Sequence, residues 1–172
     1  MKAIVDAAIQ LLNINVGATM REIAAHAGVG SATLHRHFRT KSDLIDAIGI
    51  QCIDEMNVAV RAHSVKGQLA VDRLRGMFEA VIPLGDRYNF LGTFRTQDSS
   101  IEEGYSAQLR WAISLVEELK QQGVVHGDIP TRWIVAQIDQ LVWAAWNGIA
   151  EGYLKPEEAP ELAVRTLLFG LR

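Results

Sequence analysis

Cysteine, proline and long hydrophobic runs are all scarce in this 172-residue chain. The single cysteine, Cys52, cannot form an internal disulfide and excludes a zinc site built from several cysteines. No run of about eighteen apolar residues occurs, so the sequence predicts no transmembrane helix. Residues 1–12 are amphipathic rather than a basic stretch followed by an apolar block, so no signal peptide is expected. These absences favour a cytoplasmic protein.

Charge is small overall and unevenly distributed, with a formal net charge of −3. Residues 1–45 carry five Lys or Arg against three Asp or Glu, which gives +2. Residues 46–172 carry twelve against seventeen, which gives −5. Phe38 is the only aromatic residue before position 50. The sequence therefore predicts two domains, a mildly basic head at 1–45 and a larger, acidic, aromatic-rich body at 46–172.

Helical periodicity dominates the chain. Apolar residues recur at spacings of three and four, and no alternating segment of useful length appears. Two capping boxes, Thr19 to Glu22 and Thr40 to Asp43, predict the starts of the second and fourth helices. The expected fold is all-α with about nine helices, in which the first three form the head and the fourth joins it to the body.

Helices in the body are placed by the same signals. Leu69 is assigned to the apolar face of the fifth helix, and a capping box beginning at Ser100 opens the seventh. Pro130 and Pro156 are expected to start the eighth and ninth helices, the last reaching Leu171.

Residues 19–38 carry the pattern of a helix-turn-helix motif. A capped helix that runs to about Ala27 is followed at once by a short helix at about 31–37. Two helices that cross through a tight glycine turn form this motif. Gly28 can adopt a positive φ at the turn without the penalty of a Cβ atom, and Leu34 is expected to point inward.

This segment resembles the DNA-binding domain of the TetR family of bacterial transcriptional regulators. The family pattern is roughly T-x-x-x-I-A-x-x-A-G-V-S-x-G-T-L-Y-x-H-F-x-x-K-x-x-L. Positions that match it in register are Thr19, Ile23, Ala24, Ala27, Gly28, Val29, Thr33, Leu34, His37, Phe38, Lys41 and Leu44. Gly30, Ala32 and His35 depart from it, because the family often has Ser, Gly and Tyr there. The body is similar only in helix count, chain length and its closing apolar segment.

The second helix of the motif would enter the major groove of DNA. Hydroxyl, imidazole and guanidinium groups donate hydrogen bonds to base edges or phosphates, and arginine to guanine is the commonest specific contact. The candidates on this helix are Ser31, Thr33, His35 and Arg36. The candidates for phosphate contact on either side are Thr19, Arg21, His37 and Lys41. Neighbours in the 35–37 cluster point in different directions, so no shared metal ion is expected.

The resemblance also implies an effector pocket and a homodimer. Family members place a ligand among helices four to eight, and aromatic walls with a few polar groups suit a flat or apolar molecule. The candidate lining residues are Met56, Phe78, Phe90, Phe94, Tyr105, Trp111, Gln137 and Trp143. Family members dimerise through helices eight and nine, which suits a four-helix interface. The candidate interface residues are Ile138, Leu141, Ala145, Leu162, Leu168 and Phe169.

The eighth helix is apolar nearly all round, which predicts that it is buried. Gln137, Asp139, Gln140 and Asn147 interrupt it, and a buried polar group needs a partner. A ligand cavity, a dimer interface and satisfied core polar groups are all open explanations. Cys52 lies on the apolar stripe of the fourth helix and is expected to be a buried structural thiol.

Two functional hypotheses follow. In the first, a dimeric repressor binds a palindromic operator and is released by a small apolar or aromatic ligand, with the fourth helix carrying the change from pocket to head. In the second, DNA binding remains, but the body serves only dimerisation or protein interaction. No enzyme or cofactor is expected, because the sequence lacks G-x-S-x-G, a phosphate-binding loop and metal-ligand spacing.

Overall fold

The computed structural model describes residues 2–62, 68–94 and 98–170. Within these ranges the chain forms nine α-helices, one short 3-10 helix and no β-strand, which confirms the all-α prediction. The α-helices are α1 (Lys2–Ile14), α2 (Met20–His26), α3 (Ser31–His37), α4 (Lys41–Ala62), α5 (Ala70–Val81), α6 (Gly85–Thr93), α7 (Ser99–Gln121), α8 (Thr131–Ala150) and α9 (Ala159–Gly170). The 3-10 helix, Ile82–Leu84, joins α5 to α6. None of the helices in these ranges is long and apolar enough to cross a membrane.

Helix starts in the first half of the chain follow the capping signals. The Thr19 hydroxyl accepts a hydrogen bond from the Glu22 N–H at 3.3 Å, and the Glu22 carboxylate accepts one from the Thr19 N–H at 2.7 Å. Thr40 and Asp43 form the same reciprocal pair at the start of α4, at 3.1 and 3.0 Å. Each box satisfies backbone donors that the first helical turn leaves without partners. The predicted bounds of α3 are also confirmed.

Two predictions about the N-terminal ends of body helices are wrong. The predicted box at Ser100 does not cap α7, because the carboxylate of Asp98 accepts the Ser100 N–H at 2.8 Å and the helix begins at Ser99. Leu69 is not part of the core, because it precedes α5 as its N-cap residue and is 59% exposed.

The eighth helix begins where predicted, and the ninth begins later than predicted. Pro130 lies at the N-cap of α8, as expected, and α8 ends at Ala150. Pro156 lies in a turn, and α9 begins only at Ala159. The predicted end at Leu171 lies outside the described residues.

The first of two compact units comprises Met1–Asp54 and Asp86–Glu102. It therefore combines α1 to α3 and the first half of α4 with most of α6. Within it α1 packs on α2, and α2 packs on α3. Its core contains the fully buried side chains Ile9, Leu12, Ile23, Leu34, Leu44, Ile48 and Phe90.

The second compact unit comprises Glu55–Gly85 and Glu103–Arg172. In it α9 packs against both α5 and α8. Its core contains Leu74, Phe78, Leu115, Leu119 and Ile134, all without exposed surface. An ion pair between Arg73 and Glu118 ties α5 to α7.

Helix α4 contributes residues to both units. Its apolar stripe, Leu44, Ile48, Cys52, Met56 and Val60, is at most 8% exposed, which confirms the predicted face and the burial of the thiol. The expected domain boundary between residues 45 and 46 stays a prediction.

Candidate DNA-binding and effector sites

The turn between α2 and α3 has the geometry that the helix-turn-helix pattern requires. Gly28 has a φ of +68°, a left-handed conformation that only glycine adopts at little cost. The Gly28 N–H donates to the Ala25 carbonyl at 3.1 Å, and the Val29 N–H donates to the Ala24 carbonyl at 2.9 Å. These bonds satisfy the last carbonyls of α2 and direct the chain into α3. The predicted role of Gly28 is confirmed.

Burial of one side chain determines which face of α3 is exposed. Leu34 is completely buried. Successive residues of an α-helix are separated by about 100° around its axis, so Ala32 and Arg36 lie opposite Leu34. Arg36 is exposed at the centre of this outer face.

The other α3 candidates flank Arg36 on its two sides. Ser31 and His35 lie on one flank and are exposed. On the other flank, Thr33 is half-buried and His37 is exposed. The helix therefore presents one guanidinium between two rows of shorter hydrogen-bonding side chains, an arrangement suited to a DNA groove.

Two of the candidate phosphate contacts also have structural partners. The Thr19 hydroxyl belongs to the α2 capping box and donates to the Glu22 carboxylate at 2.7 Å. The hydrogen bonds from Thr19 hold the pKa of the Glu22 carboxyl below its usual value. The ammonium of Lys41, a half-buried residue, donates to the Val16 carbonyl at 2.8 Å, which ties the α1–α2 loop to the start of α4.

The remaining basic residues of the interface are available to an anion. Arg21 is exposed on α2, and Arg36 is exposed on α3. In the part of the chain that the structure describes, neither guanidinium has a carboxylate partner. Both can therefore contact a phosphate or a base edge without breaking an ion pair.

Two contacts from α6 hold α1, and the sequence analysis did not foresee either. Arg87 forms an ion pair with Asp6, and both side chains are at least two-thirds buried. The Asn13 side-chain amide donates to the Asp86 carbonyl at 2.9 Å. These contacts lie 81 and 73 residues apart in sequence, so no local pattern marks them.

The candidate effector residues differ in accessibility. Met56, Phe78 and Phe90 are buried, whereas Tyr105 is 41% exposed. Phe94 is half-buried and stacks on Phe90, with ring centroids 4.7 Å apart. Three further candidates are half-buried: Trp111, Gln137 and Trp143. Phe90 and Phe94 belong to the first compact unit and the other six to the second.

A half-buried polar side chain of α7, Gln108, lies outside the predicted set. Gln108 lies seven residues after the buried Ile101 and seven residues before the buried Leu115. Its side-chain Nε2 is buried and has no hydrogen-bond partner among the described residues. Only an atomic structure could reveal this group, because a glutamine on a helix is usually solvated.

The outer face of α8 is exposed, so the prediction that this helix is buried all round is wrong. Asp139, Gln140 and Asn147 lie on the exposed side, and only Gln137 of the four polar residues is half-buried. The helix is thus one-sided, and three of its polar groups need no core partner.

The exposed stripes of α8 and α9 offer an apolar surface. Of the predicted dimer residues, Leu162 and Phe169 are 47% and 69% exposed, but Ile138 and Ala145 are buried in the chain's own core. Leu141 and Leu168 are half-buried. Trp133 of α8 is a further large apolar side chain that is 57% exposed. The exposed α8 residues spaced three or four apart are Trp133, Ala136, Gln140, Ala144 and Asn147.

Residues 4–48 match the family model of the bacterial regulatory proteins of the tetR family. The HTH-type transcriptional repressor LfrR of Mycolicibacterium smegmatis is 36% identical over 85 residues. That alignment covers 49% of this chain and 44% of LfrR, so the match spans less than half of this curated relative.

Solved structures extend the likeness of fold to nearly the whole chain. The TetR-like regulator LfrR from Mycobacterium smegmatis, in complex with proflavine, gives a TM-score of 0.77 at 22% identity over 99% of this chain and 95% of that one. AibR, in complex with isovaleryl coenzyme A and operator DNA, gives 0.81 at 20% identity over 97% of each chain. Residues 4–48 thus resemble the N-terminal domain of the tetR family of bacterial regulatory proteins, and the chain has the fold of solved TetR-like regulators.

Proposed function

We propose that this protein is a transcriptional repressor that binds operator DNA through the outer face of α3. The observation that carries the proposal is the position of Arg36, which is exposed, without an ion-pair partner among the described residues, and opposite the buried Leu34. Arg36 reads a guanine in the major groove, where a bidentate contact gives about 1–3 kcal/mol of discrimination. Ser31, Thr33 and His35 add contacts to bases or phosphates.

Phosphate contacts position the head on the duplex. Arg21, His37 and the remaining donors of the Lys41 ammonium supply them on either side of α3, and Thr19 joins them only by turning its hydroxyl away from Glu22. These contacts carry no sequence information, but they set the affinity and its dependence on salt.

The repressor acts as a homodimer through the exposed stripes of α8 and α9. Leu162, Phe169 and Trp133 supply large apolar side chains, and Ala136 and Ala144 allow the helices to approach closely. A two-fold dimer presents two α3 helices to successive major grooves about 34–36 Å apart, so the operator is an inverted repeat.

A small apolar effector releases the operator, and α6 takes part in the coupling. The proflavine complex of LfrR and the isovaleryl coenzyme A complex of AibR support ligand binding by this fold. Phe90 and Phe94 stack at the C-terminal end of α6, while Arg87 near its N-terminal end contacts Asp6 of α1. A displacement of the stacked rings would shift α6, and the shift would reach α1 through Arg87 and Asp6. Coupling of this kind amounts to about 1–3 kcal/mol between two sites.

Selection from a random pool of duplex DNA at moderate salt tests the proposal. Non-specific binding to phosphates weakens steeply with salt, so the recovered sequences report specific contacts. We expect an inverted repeat with a guanine in each half-site. Failure to recover any consensus would contradict operator binding.

A pair of variants connects the selected sequence to α3. Arg36→Ala should lower affinity for the selected repeat by about 1–3 kcal/mol and relax the preference at one base pair of each half-site. Arg110→Ala, which removes an exposed arginine from α7, is the matched control and should bind as the wild type does. Equal affinities for the two variants would contradict the role of Arg36.

A further inference from the structure

Gln108 lies on a stripe of α7 that is otherwise apolar or hydrogen-bonded. Ile101 and Leu115, seven residues on either side of it, are buried. Gln122, in the turn just after α7, accepts the first backbone N–H of α5, from Ala70, at 3.1 Å. Ile101 and Leu115 therefore pack into the protein and Gln122 caps a neighbouring helix, whereas the Gln108 amide has neither role.

The unpartnered amide of Gln108 differs from the two other buried polar atoms that lack partners. Asn13 and Arg73 each have one such atom, but the same side chains bond Asp86 and Glu118 through their other atoms. Gln108 has no hydrogen bond at all within the described parts of the chain. A buried amide donor without an acceptor lowers stability, so this donor needs an acceptor that the chain does not supply, either a ligand or a bound water.

Side chains one turn away along α7 indicate the chemistry of the surroundings. Residues three or four apart on a helix are neighbours, which places Tyr105 before Gln108 and Trp111 after it. Both aromatic residues belong to the predicted effector set. An amide donor between two aromatic side chains is suited to a flat apolar molecule with one hydrogen-bond acceptor.

We propose that Gln108 is the specificity residue of the effector site, and that its Nε2 donates a hydrogen bond to a carbonyl-type oxygen of the effector. The inference rests on the effector site proposed above and narrows its ligand to flat apolar molecules that carry such an acceptor. The glutamine lowers the stability of the free protein and contributes selectivity when the ligand binds.

Thermal unfolding of the ligand-free protein tests the unpartnered donor. Gln108→Met removes the donor, keeps a similar length and has a similar helix propensity. We expect its Tm to rise by a few degrees. Gln122→Met is the matched control, the same exchange at a glutamine that has a partner, and its Tm should fall because the N-terminus of α5 loses an acceptor. A fall for both variants would show that Gln108 has a structural partner such as a bound water, and would overturn the proposal.

Titration with 9-fluorenone and fluorene tests recognition. The two flat probes differ in one carbonyl oxygen, and the four tryptophans of the chain report binding by fluorescence quenching. We expect the wild type to bind 9-fluorenone about fivefold or more tightly than fluorene, the effect of one hydrogen bond. Gln108→Met should lose this preference, and Gln122→Met should keep it.

The outcomes separate this inference from the proposed function. Binding of both probes with no preference, or a preference that survives in Gln108→Met, would overturn the role of Gln108 and leave the effector site standing. Binding of neither probe, with the selected operator still bound by the protein, would overturn both the role of Gln108 and an effector site for flat apolar molecules.

Discussion

Replacing Gly85 with alanine should destabilise this protein although alanine favours a helix. Gly85 is the first residue of α6, it is buried, and its φ of −54° is an ordinary helical value. Backbone conformation therefore does not require glycine here. Space does, because an added Cβ would lie 1.5 Å from Cδ1 and 2.3 Å from Cγ of Trp146.

The magnitude follows from the opposing effects. Exchanging glycine for alanine in a helix is favourable by up to about 1 kcal/mol. Carbon atoms in contact lie about 3.5–4.0 Å apart, so the indole must move by about 2 Å to accept the methyl group. Trp143 restricts that movement, because its ring lies 5.1 Å from that of Trp146. Overpacking on this scale costs about 1–3 kcal/mol or more, so we expect a net loss of about 2 kcal/mol and a Tm lower by about 4–8 °C.

Thermal unfolding followed by circular dichroism measures this loss. Gly92→Ala is the control in the same helix, because Gly92 is exposed and an added Cβ would meet nothing within 4 Å. It should be more stable than the wild type by about 0.5–1 kcal/mol. In a Trp146→Leu background, Gly85→Ala should cost less than about 0.5 kcal/mol, because its opposing ring is gone. Equal stability of Gly85→Ala and Gly92→Ala would refute the reasoning.

Four further outcomes test the head, the dimer and the coupling. Glu22→Gln should remove part of the acid sensitivity of folding. The lowered pKa of Glu22 in the folded chain adds stability above pH 4.5, and this stability disappears as the pH falls through the pKa of the folded state. The Tm measured from pH 6 to pH 3 should therefore fall less in the variant than in the wild type. Arg21→Ala should weaken binding to all DNA sequences and reduce the slope of log affinity against log salt by about 1, whereas an unchanged slope would remove this residue from the phosphate contacts. Phe169→Glu should convert the dimer to a monomer in light scattering while leaving the monomer's stability within about 0.5 kcal/mol. Asp6→Asn breaks the ion pair with Arg87 and should lower the free energy of unfolding by about 1 kcal/mol or less. The variant should also show a smaller change in operator affinity when an effector binds. A change as large as in the wild type would show that the coupling does not need the ion pair.

Much of the head was predictable because its signals are local. Capping boxes, a turn glycine and an apolar residue in a short helix act within a few residues of one another, and the structure confirms them at Thr19, Gly28 and Leu34. The start of α7 was mispredicted for an equally local reason. Asp98 and Ser100 are both good N-cap residues, and the choice between them depends on backbone geometry that the pattern does not contain.

Features formed by residues distant in sequence were not predictable. Helix packing brings Arg87 to Asp6, where they form an ion pair. It also brings Trp146 so close to Gly85 that no Cβ atom fits there. Exposure of the polar side of α8 was missed because small alanines count as apolar in a periodicity argument, although Ala136 and Ala144 lie on the outer surface. The predicted DNA and effector residues can be located in the structure, but their contacts with ligands remain predictions.

In the proposed repressor, the construction of the head favours displacement of α3 from DNA over refolding of this helix. Helix α3 has seven residues, and its N-cap residue Gly30 makes no side-chain bond, so its geometry depends on burial of Leu34 and not on its own stability. Because α1 packs on α2 and α2 packs on α3, we expect a movement of α1 to reach the proposed DNA-binding face of α3. Helix α6 contacts the thirteen-residue helix α1 at two points that differ in character. One is an ion pair at Asp6, and the other is a neutral hydrogen bond at Asn13. Because the second contact uses a backbone carbonyl, it does not depend on the charge of a side chain, and we expect a shift of α6 to move α1 as a body while the core around Leu34 stays intact.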